Sequence, residues 1–262
     1  MIIDVHVHSR LGPDPHGFQY LLEQAAALDV TLCVNSLSPK DGTGMSYDPG
    51  RDEVKRCNDW TAELAAAHPE RIIPMWYLNP AHGDFACREL EERVAAYPGQ
   101  QGVKLWVAVR CNDPRLDPIM RLCAKHKLPV LQHTWFKVTG NLPGESTPMD
   151  LRVLALRHPD VSFFWGHCGG DYEYGAKCAR GLPNVYMDLG GGEAMNGYVE
   201  LLVEHETANH IVFGSDAPGR SLVSQLAKVC GADLSEEEQD KILFRNAQAL
   251  FDQQKPANGA TS

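Results

Sequence analysis

Residues 1–10 read MIIDVHVHSR. Ile2, Ile3, Val5 and Val7 make the apolar run of a buried strand, yet His6 and His8 sit inside it and Arg10 follows. Hydrocarbon packing has no use for two imidazoles. Residues two apart on a strand share a face, roughly 7 Å apart at Cα, so the pair can converge on one ion. If this strand ends in a metal site, other parts of the chain must supply the remaining ligands.

Seven further runs resemble it: VTLCVN from Val30, RIIPMWY from Arg71, GVKLWV from Gly102, LPVLQH from Leu128, VSFFWG from Val161, NVYMDL from Asn184 and HIVFGS from His210. Each is short and nearly continuous in apolar character, as strands covered on both faces are. Amphipathic stretches lie between them, among them FQYLLEQAAALD from Phe18, DEVKRCNDWTAELAAAH from Asp52 and PMDLRVLALRH from Pro148. The closing stretch starts at Ser235 with Glu238 three residues on, a capping box. Eight alternations of strand and helix predict a (β/α)8 barrel, a TIM barrel, as a single domain over 1–253. A polar tail, 254–262, is expected to be disordered. An open doubly wound sheet would need GxGxxG after its first strand, where HVHSRLGPDPHG stands instead. The irregular insert from Ser36 to Gly50 follows the second strand, so it would lie over the mouth as a lid or as a plain surface loop.

Composition narrows the function. The 262 residues carry 24 basic and 34 acidic groups, a net charge of -10. A nucleic-acid or anionic-membrane surface would want clustered Lys and Arg instead. No apolar run approaches the ~20 residues of a membrane span. The eight cysteines are scattered without a CxxC pair, which reads as reduced, buried thiols in a cytoplasmic protein. The expected partner is a small-molecule substrate, with a homodimer as the expected assembly.

Position is the informative fact. His6 and His8 end the first strand, Lys104 lies in the fourth, His133 ends the fifth, His167 the sixth and Asp216 the eighth. In a barrel all these ends point at one mouth. Closure sets strand eight beside strand one, and so Asp216 beside the His pair. Three neutral imidazoles and a carboxylate suit Zn²⁺, or another divalent metal such as Mn²⁺, with an open position for water.

The segments IDVHVH, GVKLW, LPVLQH, VSFFWGHCGG, NVYMDLGG, HIVFGSDAP and ILFRNAQALF resemble the amidohydrolase superfamily. The likeness is to its amidohydrolase-related group, which includes ACMSD-type decarboxylases. The resemblance implies that His6, His8, His133 and Asp216 bind one ion, and that His167 sits at the site and polarises substrate or water. It leaves Lys104 either outside the ligand set or carbamylated as a bridge between two metals. Trp106 departs from the pattern, standing where a histidine and proline often follow.

The leading expectation is metal-dependent hydrolysis of an ester, lactone or amide. A metal lowers the pKa of bound water from about 15.7 towards about 7, and Asp216 would take the water's proton while His167 stabilises the oxyanion. The rival is a lyase that decarboxylates a small aromatic or enol acid. Arg10 and Arg220 could bind a substrate carboxylate bidentately, and Trp106 and Trp135 could wall a flat substrate. No P-loop, HExxH or GxSxG occurs, which leaves the metal as the source of catalytic power.

Overall fold

The computed structural model describes residues 1–11, 17–37, 39–40 and 44–254. Eight parallel strands follow one another in sheet order: β1 (Ile2–Arg10), β2 (Val30–Leu37), β3 (Ile72–Leu78), β4 (Gly102–Leu105), β5 (Val130–His133), β6 (Phe163–Gly166), β7 (Val185–Asp188) and β8 (Ile211–Val212). The chain beyond β8 closes the ring. Val5 N donates to Phe213 O (3.0 Å), Asp216 N to His6 O (2.8 Å) and His8 N to Ala217 O (2.8 Å). The fold is therefore a (β/α)8 barrel, and every sequence-predicted strand overlaps its observed one, β1, β2 and β3 running one to three residues further.

Eight helices fill the spacers: α1 (Phe18–Ala27), α2 (Arg51–Ala67), α3 (Asp84–Ala96), α4 (Asp117–His126), α5 (Pro148–Arg157), α6 (Tyr172–Ala179), α7 (Tyr198–Glu206) and α8 (Leu222–Cys230). The three after β6, β7 and β8 have eight or nine residues each. That is too short for a helical period to stand out in the sequence. The closing segment is α9 (Glu236–Asp240), a π-turn (Lys241–Arg245) and α10 (Asn246–Asp252). Its capping box is present: Ser235 Oγ accepts from Glu238 N and Glu238 Oε2 from Ser235 N.

Two apolar layers hold the barrel. The outer one packs the helices on outward strand residues such as Val30, Leu32, Val103 and Val130. The inner one gathers Ile3, Val5, Cys33, Ile73, Met75, Leu131, Phe164 and Val212, with Ala247, Leu250 and Phe251 of α10 sealing the floor. The Phe164 and Phe251 rings lie 6.1 Å apart. Of the expected tail, Gln254 is tied to Gln101 by two hydrogen bonds; residues 255–262 lie outside the described set. In the Ser36–Gly50 insert, residues 38 and 41–43 lie outside it as well. Pro39–Lys40 pairs antiparallel with Gly44–Met45, and Tyr47 packs on Trp106 with ring centroids 5.0 Å apart.

One irregularity in β1 decides where the histidines point. Asp4 pairs with Leu32 and Val7 with Val34, so β1 advances three residues while β2 advances two. This is a β-bulge. Below it Ile3 and Val5 face inward; above it Val7 joins the outer layer, and His6 and His8 turn to the interior. The buried Asp4 secures the bulge, its Oδ1 accepting from His6 N (3.1 Å) and Ser215 N (2.9 Å). Burial pushes the Asp4 carboxyl up to about 7.

A neutral side chain with the same acceptor should serve nearly as well. Asp4→Asn is expected to fold with little loss. Asp4→Ala orphans two buried N–H groups and should cost about 3 kcal/mol. Urea denaturation of the two variants checks this; equal stabilities would refute the role given to Asp4.

Candidate active site

An arc of four imidazoles lines the mouth of the barrel. Ring centroids are 4.9 Å apart for His8–His6, 4.7 Å for His6–His167 and 4.9 Å for His167–His133. His6 and His8 lie within β1, which runs on to Arg10, and His133 ends β5. His167 follows β6 with φ +63°, and Asp216 follows β8 with φ +61°. Left-handed backbone at a non-glycine residue costs of order 1–3 kcal/mol and is held only by its surroundings. For Asp216 that support is its N–H bond to His6 O. For His167 it includes the contact of Gly191, itself at φ +84°, where a Cβ would lie 2.2 Å from His167 Nδ1. The GGG run at 190–192 is thus a close-approach loop.

Each imidazole has one nitrogen fixed by an oxygen acceptor outside the arc. His6 Nδ1 donates to Asp188 Oδ2 (2.5 Å). His8 Nδ1 donates to Asn35 Oδ1 (2.9 Å), whose amide is oriented by Asn35 Nδ2 donating to Val7 O. His167 Nδ1 donates to the Gly190 carbonyl (3.0 Å). His133 Nε2 faces Glu145 Oε1 (3.1 Å). In the neutral ring the other nitrogen is then a bare lone pair aimed into the cavity.

These lone pairs crowd one another. His6 Nε2 lies 3.1 Å from His8 Nε2. Asp216 Oδ1 is 3.2 Å from His8 Nε2 and 3.7 Å from His6 Nε2. His133 Nδ1 lies 3.0 Å from His167 Nε2. Acceptors do not face acceptors at such distances unless a cation lies between them, a proton or a metal ion. The donor set therefore fits a divalent metal.

Of the four expected ligands, His6, His8 and Asp216 bring donor atoms within 4.8 Å of one another. His133 is at the other end of the arc, joined to the rest through His167. Lys104 is fully inside, its Nζ 3.1 Å from His6 Nε2.

Burial decides the charges. It pushes His167 down to about 4 and His133 below its ordinary value, and it takes His6 well below, with Lys104 and His167 adding to the effect on His6. It pushes Lys104 down to about 8. Burial alone would raise Asp216, but the neighbouring His8, His167 and His6 hold its carboxyl well below the usual carboxylate range. Burial works the same way on Glu145, and there His133, Lys137 and the Leu142 N–H outweigh it, bringing the carboxyl to about 2.

Above the arc is a cavity of about 240 Å³ lined by His8, Arg10, Leu37, Trp106, His133, Trp135, His167, Asp216, Pro218 and Gly219. Trp135 packs against His167 at 4.9 Å and stacks over His133 at 6.3 Å. The Arg10 guanidinium makes no ion pair with a described residue. Arg220 does not line this cavity. It clamps two loops by donating to Gly191 O and Gly219 O. Sequence reading missed Asp188, Asn35 and Glu145. Asp188 and Asn35 share the signal that revealed His133, a polar residue at the inner face of a strand end; Glu145 lies in a loop and gives none.

The sequence matches the Amidohydrolase family over residues 3–253, and the chain belongs to that family. No curated protein matches it at a significant level. Among solved structures it is similar to 2,6-dihydroxybenzoate decarboxylase from Rhizobium, with TM-score 0.74, 17% identity, and 97% of this chain and 99% of that one covered. It is also similar to a dihydroxybenzoic acid decarboxylase from a Polaromonas species with bound manganese and 2-nitroresorcinol (TM-score 0.72, 17% identity, 97% and 98% covered). A third is 4-oxalomesaconate hydratase from Rhodopseudomonas palustris (TM-score 0.70, 15% identity, 96% of each chain covered). No helix among the described residues is long and apolar enough to cross a membrane.

The His167 shift has a measurable sign. The unfolded chain takes up a proton below about 6.5, whereas the folded one does so only near 4, so folding stability falls as pH drops through that window. The loss is at most about 1.4 kcal/mol per pH unit for this group. His167→Gln should lose less stability than the wild type between pH 6.5 and 4.5 in metal-free thermal melts; parallel curves would contradict the burial argument.

Proposed function

We propose that this protein is a divalent-metal-dependent decarboxylase of a small aromatic or enol carboxylic acid. The observation that carries this is the make-up of the cavity. Imidazole and carboxylate donors crowd its floor, Trp106 and Trp135 line it, and so does the Arg10 guanidinium, which makes no ion pair with a described residue. A volume of about 240 Å³ is below the usual range for drug-sized ligands and suits a one-ring substrate. The similarity to dihydroxybenzoate decarboxylases, one of them bound to manganese, supports the same class.

His6, His8 and Asp216 would hold one Mn²⁺ or Zn²⁺, with His133 Nδ1 as a fourth donor. Bound there, the ion would supply Lewis-acid polarisation of a substrate oxygen. The indole faces of Trp106 and Trp135 would hold the ring, and Arg10 would take a carboxylate bidentately. Decarboxylation replaces CO₂ on carbon with one proton. His167 is placed to deliver it from Nε2, since Nδ1 is anchored on Gly190 O. A histidine whose neutral form is favoured by burial is a strong acid once protonated, which suits transfer to carbon. Asp216 Oδ2 would hold the proton in transit. Lys104, whose ammonium form burial disfavours, would yield His6 Nε2 to the ion and stand beside it rather than act as a bridge.

Water addition or hydrolysis is the second reading, favoured by the ionised Asp216 as a base for water and by the similarity to a hydratase. The two readings differ in products. Incubation with dihydroxybenzoates in water labelled with both ²H and ¹⁸O should release CO₂ and place one solvent deuteron on the ring, with no net water consumed. A strong chelator should abolish turnover and Mn²⁺ or Zn²⁺ restore it, and Asp216→Asn should lose at least about 100-fold in kcat. Turnover indifferent to chelation would end the metal reading; labelled oxygen in the organic product would favour water addition or hydrolysis.

A further inference from the structure

The loop between β5 and α5 holds a buried carboxylate against His133. Glu145 is 2% exposed, unusual for a glutamate, and four contacts converge on it. Oε1 faces His133 Nε2 at 3.1 Å and Lys137 Nζ at 2.8 Å; Oε2 accepts from Lys137 Nζ at 2.8 Å and from Leu142 N at 3.0 Å. The loop is pinned around it. Trp135 N donates to Ser146 O, Phe136 N to Gly169 O and Ser146 Oγ accepts from Cys111 N. Gly144 packs where a Cβ would be 1.9 Å from Val107 O. Glu145 therefore cannot drift away from His133 without unpicking the loop.

We propose that Glu145, held by Lys137, is a positioning residue that keeps a proton on His133 Nε2 and so presents Nδ1 to the centre as a bare lone pair. A carboxylate paired with a lysine can only accept, so His133 must donate through Nε2. In the neutral ring Nδ1 is then the available nitrogen. It is the atom 3.0 Å from His167 Nε2, also bare because His167 Nδ1 is committed to the Gly190 carbonyl. Without Glu145 the relaxed arrangement is the opposite one. The proton would sit on Nδ1 and bond to His167 Nε2, closing both nitrogens to a metal or a substrate. The role rests on the metal reading above only for its consequence; the tautomer itself is a property of the metal-free protein.

Glu145→Gln tests this with almost no change of shape. Lys137 Nζ contacts both oxygen positions and can turn, whereas the Leu142 backbone N–H is fixed on the Oε2 position, so the variant's carbonyl oxygen settles there and Lys137 follows it. Its NH₂ group then faces His133 Nε2, which becomes an acceptor and sends the ring proton to Nδ1. In ¹⁵N-labelled, metal-free protein, long-range imidazole spectra should show His133 protonated at Nε2 in the wild type and at Nδ1 in E145Q. Affinity for Zn²⁺ or Mn²⁺ by competition with a chromophoric chelator should fall on the order of 10–100-fold, with unchanged stoichiometry. Glu145→Asp keeps a carboxylate and should retain the wild-type ring spectrum with a smaller loss of affinity. The proposal is overturned if E145Q leaves the His133 spectrum as it was, or binds metal within twofold of wild type. If even the wild type takes up neither ion, the metal reading falls, and the imidazole spectra alone decide the role of Glu145.

Discussion

The extra residue in β1 is the constraint on which the site depends. A regular strand would put Ile3, Val5 and Val7 on one face and Asp4, His6 and His8 on the other. The barrel needs Ile3 and Val5 inside near its floor and the two imidazoles inside near its mouth. Both demands are met only if the face changes between them, and the bulge makes that change. Asp4 bonds the amide that the bulge frees and ties it across the seam to Ser215 N, one residue before Asp216. One buried carboxyl thus aligns both ends of the chain that meet at the candidate metal centre.

Around that centre, selectivity lies in what surrounds the imidazoles as much as in the imidazoles themselves. Asp188, Asn35, Glu145 and the Gly190 carbonyl each claim one nitrogen, so four rings turn their remaining lone pairs the same way. The cost of crowding them is tolerable because burial keeps His6, His133 and His167 neutral. It also disfavours the ammonium form of Lys104, which would otherwise compete with a metal ion as the local cation.

Much of this could be read from the sequence, and the reasons divide cleanly. Strand count and order followed from eight apolar runs, because parallel strands buried on both faces leave an uninterrupted signature. The gathering of His6, His8 and Asp216 followed from strand ends and barrel closure. What the residues alone could not reveal was register. Asp188 and Asn35 were in plain view, but their pairing with His6 and His8 depends on strand stagger. Glu145 belongs to a loop, whose path no periodicity encodes. The bulge was hidden by its own residues, since Val5 and Val7 look alike in a list though they face opposite layers. Arg220, close to Asp216 in sequence, turned out to brace two loops, because a helix-entry turn carries it past the cavity rim.

The floor of the barrel has a consequence for how the molecule comes into being. Ile3 and Val5 complete their packing only against Ala247, Leu250 and Phe251, so nearly the whole chain separates partners in one small cluster. Contacts of such long separation form late, because the intervening loop must first be closed at an entropic cost. During synthesis the first strand must wait, its inner face uncovered, until the final helix leaves the ribosome. The same strand carries the histidine pair, so binding competence and completion of the core arrive together.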